Sequence, residues 1–328
     1  MRAPPGYNFP LTKASCQYSV VIPVLNEEQT IPEMCARLAR VIASTGGDWE
    51  VIYVNDGSSD GSWQTLLKLR AQYPFLKAAS LSRNFGHQAA LKAGIDLAQG
   101  DAVILMDGDL QDIPEVLPQF VAKWKEGFEV VYAIRTKRKE GFAKRTAFSL
   151  FYKLQRRISR IDTPLNAGIF SLLDRKVVDT LKSLPERNRY FPGLRAYAGF
   201  RQTGIEVERA MRFSGPPKVS LGGLAKLALD GMFAFSTAPL KAVFLMGVIV
   251  CIASIAVGAF GLYYRFILHR ALLDWPFGLT TVFFFGGVQL ISTGIVGEYV
   301  GRIYDEVKQR PHYVLKDLAG FEGDTKRG

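Results

Sequence analysis

AVILMDGDLQD, residues 102–112, is the stretch that sets the fold. Its first half, 102–106, is a short apolar run rich in branched side chains, as in a strand buried on both faces. The second half carries three carboxylates, Asp107, Asp109 and Asp112, arranged around Gly108. Runs of the same apolar kind occupy 18–24, 49–55, 76–82 and 129–134, and helical periodicities at 28–44, 62–71, 86–98 and 114–125 fall between them. This alternation predicts an α/β fold: a mostly parallel, Rossmann-like sheet with helices on both faces. In such sheets ligands bind where the carboxyl ends of the strands emerge.

No GxGxxG follows the first strand and no GxxxxGK[ST] occurs anywhere, which argues against dinucleotide dehydrogenases and phosphate-loop ATPases. Acidic and amide residues stand at the strand ends instead: Asn26, Glu27 and Glu28, then Asp56 and Asp60, then Asp107, Asp109 and Asp112. In extended backbone residues i and i+2 point the same way, so Asp107 and Asp109 can share one hard cation, with Gly108 letting the chain bend. Mg2+ or Mn2+ completed by phosphate oxygens is commonly held in this way. Asp and Gly are also turn formers, and the strand-end context is what favours the metal reading. Asp60 reads first as a helix cap, Asp56 as an acceptor for a nucleobase at the binding edge, and Asn26 equally as cap or ligand.

Hydrophobic residues make up 48% and charged residues 22% of the 328, which excludes wholesale disorder and fibrous repeats. Cys16, Cys35 and Cys251 lie far apart, as do His87, His269 and His312, so neither a disulfide framework nor a zinc cluster is expected. The net charge of +11 is concentrated: ten basic residues and one acid, Glu140, lie between Arg135 and Arg160. A segment of this kind seeks phosphate, in a lipid, a substrate or a nucleic acid. Acidic strand ends speak against the nucleic acid.

Two stretches, 242–264 and 276–297, contain no charged residue, and each is long enough to cross a hydrocarbon core of about 30 Å as a helix. The short connection makes them a hairpin. Lys241, Arg302, Lys308, Arg310 and Lys316 outnumber Arg265 and Arg270, so the flanks are expected on the cytoplasmic side. The opening MRAPPGYNFP has no apolar core of a signal peptide, in keeping with that orientation. Leu224, Leu227, Ala228, Met232 and Phe235 recur at helical spacing, which predicts an amphipathic helix lying in the membrane interface. The expected plan is an extension at 1–17, a catalytic domain at 18–218, a juxtamembrane helix at 219–238, a hairpin at 239–300 and a cytoplasmic tail at 301–328.

PVLNEE (23–28), NDGSSD (55–60), SRNFGHQAAL (82–91) and DGDLQD (107–112), ahead of a two-span hairpin, resemble family 2 glycosyltransferases. The resemblance is to the membrane-bound polyprenyl-phosphate group, relatives of dolichol-phosphate mannose synthase and of bacterial enzymes that charge undecaprenyl phosphate with glucose. It implies a GT-A fold, a nucleotide sugar donor and a polyprenyl phosphate acceptor met among membrane lipids at a bacterial inner membrane. It further implies a donor nucleotide site of Pro23, Asn26, Glu27, Asp56 and Asp107, with Asp107 and Asp109 on the metal and Gln111 beside it. Arg187, Arg189, Arg209, Arg212 and Lys218 would meet substrate phosphates. A small hairpin anchor is also compatible with a homo-oligomer.

Two departures stand out. Where relatives carry acids in a segment like DxGDFRL, this chain reads Asn166-Ala167-Gly168-Ile169-Phe170-Ser171-Leu172, and Gly-x-Ser/Thr-Lys becomes Gly215-Pro216-Pro217-Lys218. The first removes the expected carboxylate base. A phosphate monoester has its second pKa near ~6 and is already largely dianionic at neutral pH, so the acceptor needs no base to act as a nucleophile. Inverting sugar transfer is the expected reaction; a catalytically inactive membrane scaffold and a polysaccharide synthase with a non-lipid acceptor are the alternatives.

Overall fold

The computed structural model describes residues 16–135, 167–186, 189–207, 238–267 and 275–321. Strands β1 (Tyr18–Val24) and β2 (Trp49–Asn55) are buried at every position, which explains their unbroken apolar sequence. They join β3 (Leu76–Leu81), β4 (Ala102–Leu105), β5 (Val130–Arg135), β6 (Ala167–Asp174), β7 (Gln202–Val207) and β8 (Leu315–Ala319) in one sheet of order β7-β5-β6-β4-β1-β2-β3-β8.

β1 runs parallel to β2 and β4, and β2 runs parallel to β3, so these four strands deliver their carboxyl ends to one edge. β6 is antiparallel to β4 and β5, and β7 is parallel to β5. Helices cover both faces, as expected. Val20, Ile22 and Val24 share a core with Ile31, Met34 and Leu38 of α1 (Ile31–Thr45), Leu66 of α2 (Ser62–Arg70) and Phe120 of α4 (Leu117–Lys125). On the other face α3 (His87–Leu97) packs so tightly over Val21 and Val54 that Gly94 has no room for a side chain.

Further elements follow the segment read as a strand at 129–134. These are β6, α5 (Arg175–Ser183), opened by an Asp174 side chain that accepts the Lys176 amide, α6 (Phe191–Ala198) and β7. The tail departs most from expectation. It contributes β8, which pairs antiparallel with β3, a strand about 240 residues earlier in the chain, and so completes the sheet. Tyr313 Oη donates to Asp96 Oδ2 at 2.9 Å, and the Ser82 amide donates to the Val314 carbonyl at 2.9 Å.

The chain divides into two compact units, Met1–Ser220 with Arg310–Gly328, and Leu221–Gln309. The second contains α7 (Ala238–Ile267) and α8 (Trp275–Val307). Within them Pro239–Phe260 and Thr281–Val307 are long and apolar enough to cross a membrane, with mean hydropathies of 2.7 and 1.3. Phe244, Ile255, Phe283 and Leu290 are each more than two-thirds exposed, a surface suited to lipid rather than water. α8 continues ten residues past the uncharged run at 276–297. The amphipathic segment 219–237 and most of the basic stretch, 136–160, lie outside the described residues.

Losing one hydrogen bond to a carboxylate lowers stability by about 1.5–3 kcal/mol, and exposing a strand edge lowers it further. Tyr313→Phe is therefore expected to lower the thermal midpoint of the detergent-solubilised protein by a few degrees. Deletion from Tyr313 onward is expected to lower it much more and to promote aggregation, as followed by scanning fluorimetry and size-exclusion chromatography.

Candidate active site

The four loops that leave the parallel strands are bonded to one another. After β1 the chain turns at Asn26, which takes a left-handed φ of 55°. Asn26 Oδ1 accepts the Ser59 amide at 2.8 Å, and the Asn26 amide donates to Ser58 Oγ at 3.0 Å. The Glu27 amide donates to Ser62 Oγ at 2.9 Å, and Glu28 accepts the Gly61 amide at 3.0 Å. Asn26 is thus a strut between the first two loops rather than a cap: α1 begins five residues later, with Thr30 at its N-cap position. Asp60 accepts both the amide and the hydroxyl of Ser62, the first residue of α2, in keeping with its expected role at a helix start.

Asp56 follows β2 and is only 3% exposed. Its Oδ1 accepts the Phe85 amide at 2.7 Å and its Oδ2 the Gly86 amide at 2.9 Å. Burial raises its pKa, and these two hydrogen bonds oppose the rise by favouring the anion. The bond pair fixes the loop 82–86 after β3, where Gly86 takes a φ of 95° that an L residue rarely adopts. That loop in turn sets His87 at the first position of α3, and His87 Nε2 lies 2.9 Å from Asp107 Oδ1.

Asp107 is braced from behind: Oδ2 of buried Asp112 accepts its amide at 3.2 Å. Asp109 Oδ1 accepts the Gln111 amide at 3.1 Å, which folds DGDLQD back on itself with Leu110 at a φ of 61°. Gly108 has an ordinary φ, so bending is not what demands a glycine. A Cβ there would lie 2.9 Å from Val24 Cγ1 and 3.1 Å from the Pro23 carbonyl oxygen, so glycine lets the acidic turn press against the end of β1. Burial alone would lower the His87 pKa, but its hydrogen bond to Asp107 and the negative charges of Asp107, Asp56 and Asp109 raise it. The three aspartates therefore act on one imidazole.

Among the described residues no three His, Cys, Asp or Glu side chains gather into a complete metal cage. A pair of carboxylates such as Asp107 and Asp109 would need substrate phosphate and water to complete the shell of a cation such as Mg2+. Gln111 adjoins this pair and is half-buried.

One expected phosphate contact is corrected. Arg189 is buried at 6% exposure, and its guanidinium donates to the carbonyls of Glu186 (3.0 Å), Leu181 (3.2 Å) and Leu184. It satisfies the open carbonyls at the end of α5, because a buried guanidinium and unpaired helix carbonyls each need the other. Arg187, Arg209, Arg212, Lys218 and Asn166 lie outside the described residues. Ile169 is half-buried in β6. His87 and the serines of NDGSSD were not singled out as site residues. The signal for His87 lies in the position of SRNFGH directly after a strand.

Residues 19–182 match the family described as glycosyl transferase family 2. An uncharacterized glycosyltransferase of Bacillus subtilis, YkcC, is 42% identical over 93% of this chain and 95% of its own length. The bactoprenol glucosyl transferase of Shigella phage SfII is 39% identical over 91% of this chain and 97% of its own. This chain belongs to glycosyl transferase family 2. Among solved structures it is similar to glucosyl-3-phosphoglycerate synthase from Mycobacterium tuberculosis in complex with Mn2+, uridine diphosphate and phosphoglyceric acid. That match has 21% identity and a TM-score of 0.45, and covers 67% of this chain and 76% of that one.

A family 2 glycosyltransferase with this GT-A-like sheet is an enzyme whose strand-end acids lie where its ligands are expected. Overpacking at Gly108 is expected to cost about 1–3 kcal/mol and to displace Asp107 and Asp109. Gly108→Ala should therefore lower the thermal midpoint modestly and reduce sugar transfer by at least about tenfold, measured with a radiolabelled donor.

Proposed function

We propose that this glycosyltransferase moves glucose from UDP-glucose to undecaprenyl phosphate, with inversion at the anomeric carbon, on the cytoplasmic face of a bacterial membrane. The observation that carries the reading is the joining of two things in one chain: a strand-end Asp107-Gly108-Asp109 turn bonded to His87, and two helices apolar enough to span a bilayer. Near full-length similarity to bactoprenol glucosyl transferases supports the choice of sugar and acceptor.

In this reading the uridine base and ribose sit over the loops of Pro23, Asn26, Glu27 and Asp56. Each Asp56 oxygen keeps a second lone pair for a donor on the base. Asp107 and Asp109 hold Mg2+ or Mn2+, which would neutralise charge on the departing diphosphate. Gln111 adjoins that centre. Arg187, Arg209, Arg212 and Lys218 supply cations to the phosphates. The acceptor is a dianion at neutral pH, so Asn166 and Ile169 in place of acids leave the nucleophile intact. The chain's task is to bring two polyanions together and to stabilise the leaving group, which is done by position and charge. The excess of Lys and Arg on the hairpin's flanks supports the cytoplasmic assignment.

Membranes containing the protein, supplied with UDP-[14C]glucose, undecaprenyl phosphate and Mg2+ or Mn2+, are expected to yield label that partitions into organic solvent and a glycolipid of matching mass. Chelation should abolish the signal and added Mn2+ or Mg2+ restore it. Asp109→Ala should abolish transfer, whereas Asn166→Asp should change it less than about threefold. The reverse pattern in these two variants would remove the mechanism.

A further inference from the structure

Arg195 of α6 is the most conspicuous charge outside the acidic turn. It is 3% exposed. Its Nη1 donates to the Gly168 carbonyl at 3.1 Å, and its guanidinium carbon lies 4.9 Å from the ring centre of Tyr132. Nε and Nη2 are buried and, among the described residues, have no hydrogen-bond partner. Burial lowers its pKa to about 10, which leaves it cationic at neutral pH, and the neighbouring Tyr132 and Tyr190 supply no carboxylate to offset that charge. A buried guanidinium with one carbonyl and one aromatic face is far from compensated, because desolvating an unpaired ion is costly.

The open donors are informative in kind. Nε and Nη2 form the side-on fork of arginine, two parallel N–H groups that match two oxygens of a carboxylate or phosphate. The same edge is used elsewhere in this protein, where Arg37 Nε and Nη2 hold the two oxygens of Glu115 at 2.9 and 2.5 Å. On Arg195 that edge faces no acid among the described residues.

Its place in the sheet says which anion. β6 is antiparallel to β4 with Ser171 opposite Leu105. Gly168 and Ile169 therefore lie beyond Ser171 in the direction in which Met106 and Asp107 lie beyond Leu105. The carbonyl that anchors Arg195 thus belongs to the strand beside the acidic turn, at the sheet edge where ligands bind.

We infer that the Nε/Nη2 fork of Arg195 is a phosphate-binding group of the active site, which takes two oxygens of a substrate phosphate from the β6 side of the acidic turn. The inference rests on the proposed function for the identity of its ligands, a nucleoside diphosphate and a lipid monophosphate, which share this chemistry.

The test uses the full-length protein in detergent, with calorimetric titration by UDP in the presence of Mn2+ and, separately, by undecaprenyl phosphate. Arg195→Met is expected to weaken one or both by about tenfold to a hundredfold, as follows from losing a charge-assisted bidentate pair. The weakened titrant identifies the phosphate. The ligand-free thermal midpoint should be unchanged or higher, because an uncompensated buried charge is removed. Arg195→Lys keeps the charge without the fork and should lose affinity for the same titrant, which carries the test if Arg195→Met does not fold. Exposed Arg201→Met controls for loss of a positive charge and should bind both titrants as wild type does. Unchanged affinity for both titrants in folded Arg195 variants overturns the inference and leaves the proposed function standing. Failure of the wild type itself to bind UDP or the lipid phosphate overturns the proposed function instead, and the inference with it.

Discussion

A carboxylate buried at a strand end is tolerated only when both of its oxygens are satisfied, and Asp56 meets that condition with the amides of Phe85 and Gly86. The rest of the candidate site hangs on this exchange. Asp56 draws the loop after β3 over the end of β2, the left-handed Gly86 ends that loop, and His87 starts α3 within reach of Asp107. Three aspartates around one imidazole form a concentration of negative charge that repels itself. A cation and the phosphates it binds would relieve that repulsion.

Charge is divided along the sheet edge. The β1, β2 and β4 ends carry carboxylates, while beside β6 the buried guanidinium of Arg195 is anchored on the Gly168 carbonyl. An enzyme that joins two phosphate-bearing substrates needs both signs close together: acids to hold a metal and cations to meet the oxygens the metal leaves uncovered. Arg189 shows that a basic residue in a suggestive sequence need not serve this purpose, since its donors close the end of α5.

The return of β8 to β3 links the two parts of the chain. The sheet-bearing unit is built from two separate stretches of chain, Met1–Ser220 and Arg310–Gly328, with the apolar helices falling between them in sequence. The Ser82 amide that bonds the Val314 carbonyl opens the loop held by Asp56, so the approach to β8 and that loop are tied together. An edge strand made after the hairpin also means that the sheet is completed only once both apolar helices have been synthesised.

Sequence alone determined the four parallel strands, the helices between them, the acidic strand ends and the two apolar spans. Each of these is a local pattern: an unbroken apolar run, a 3.6-residue period, or a length matched to a bilayer. The same runs of residues exposed the DGDLQD turn, though not why Gly108 must be glycine, which depends on contact with Pro23 and Val24 far away in the chain. Only the tertiary structure decided the pairing of β8 with β3, the diversion of Arg189 to helix carbonyls, the meeting of His87 with Asp107 and the unpaired fork of Arg195. These depend on which groups are left without partners after the chain has packed, and burial converts an unmet hydrogen bond or charge from a trivial matter in water into a dominant one.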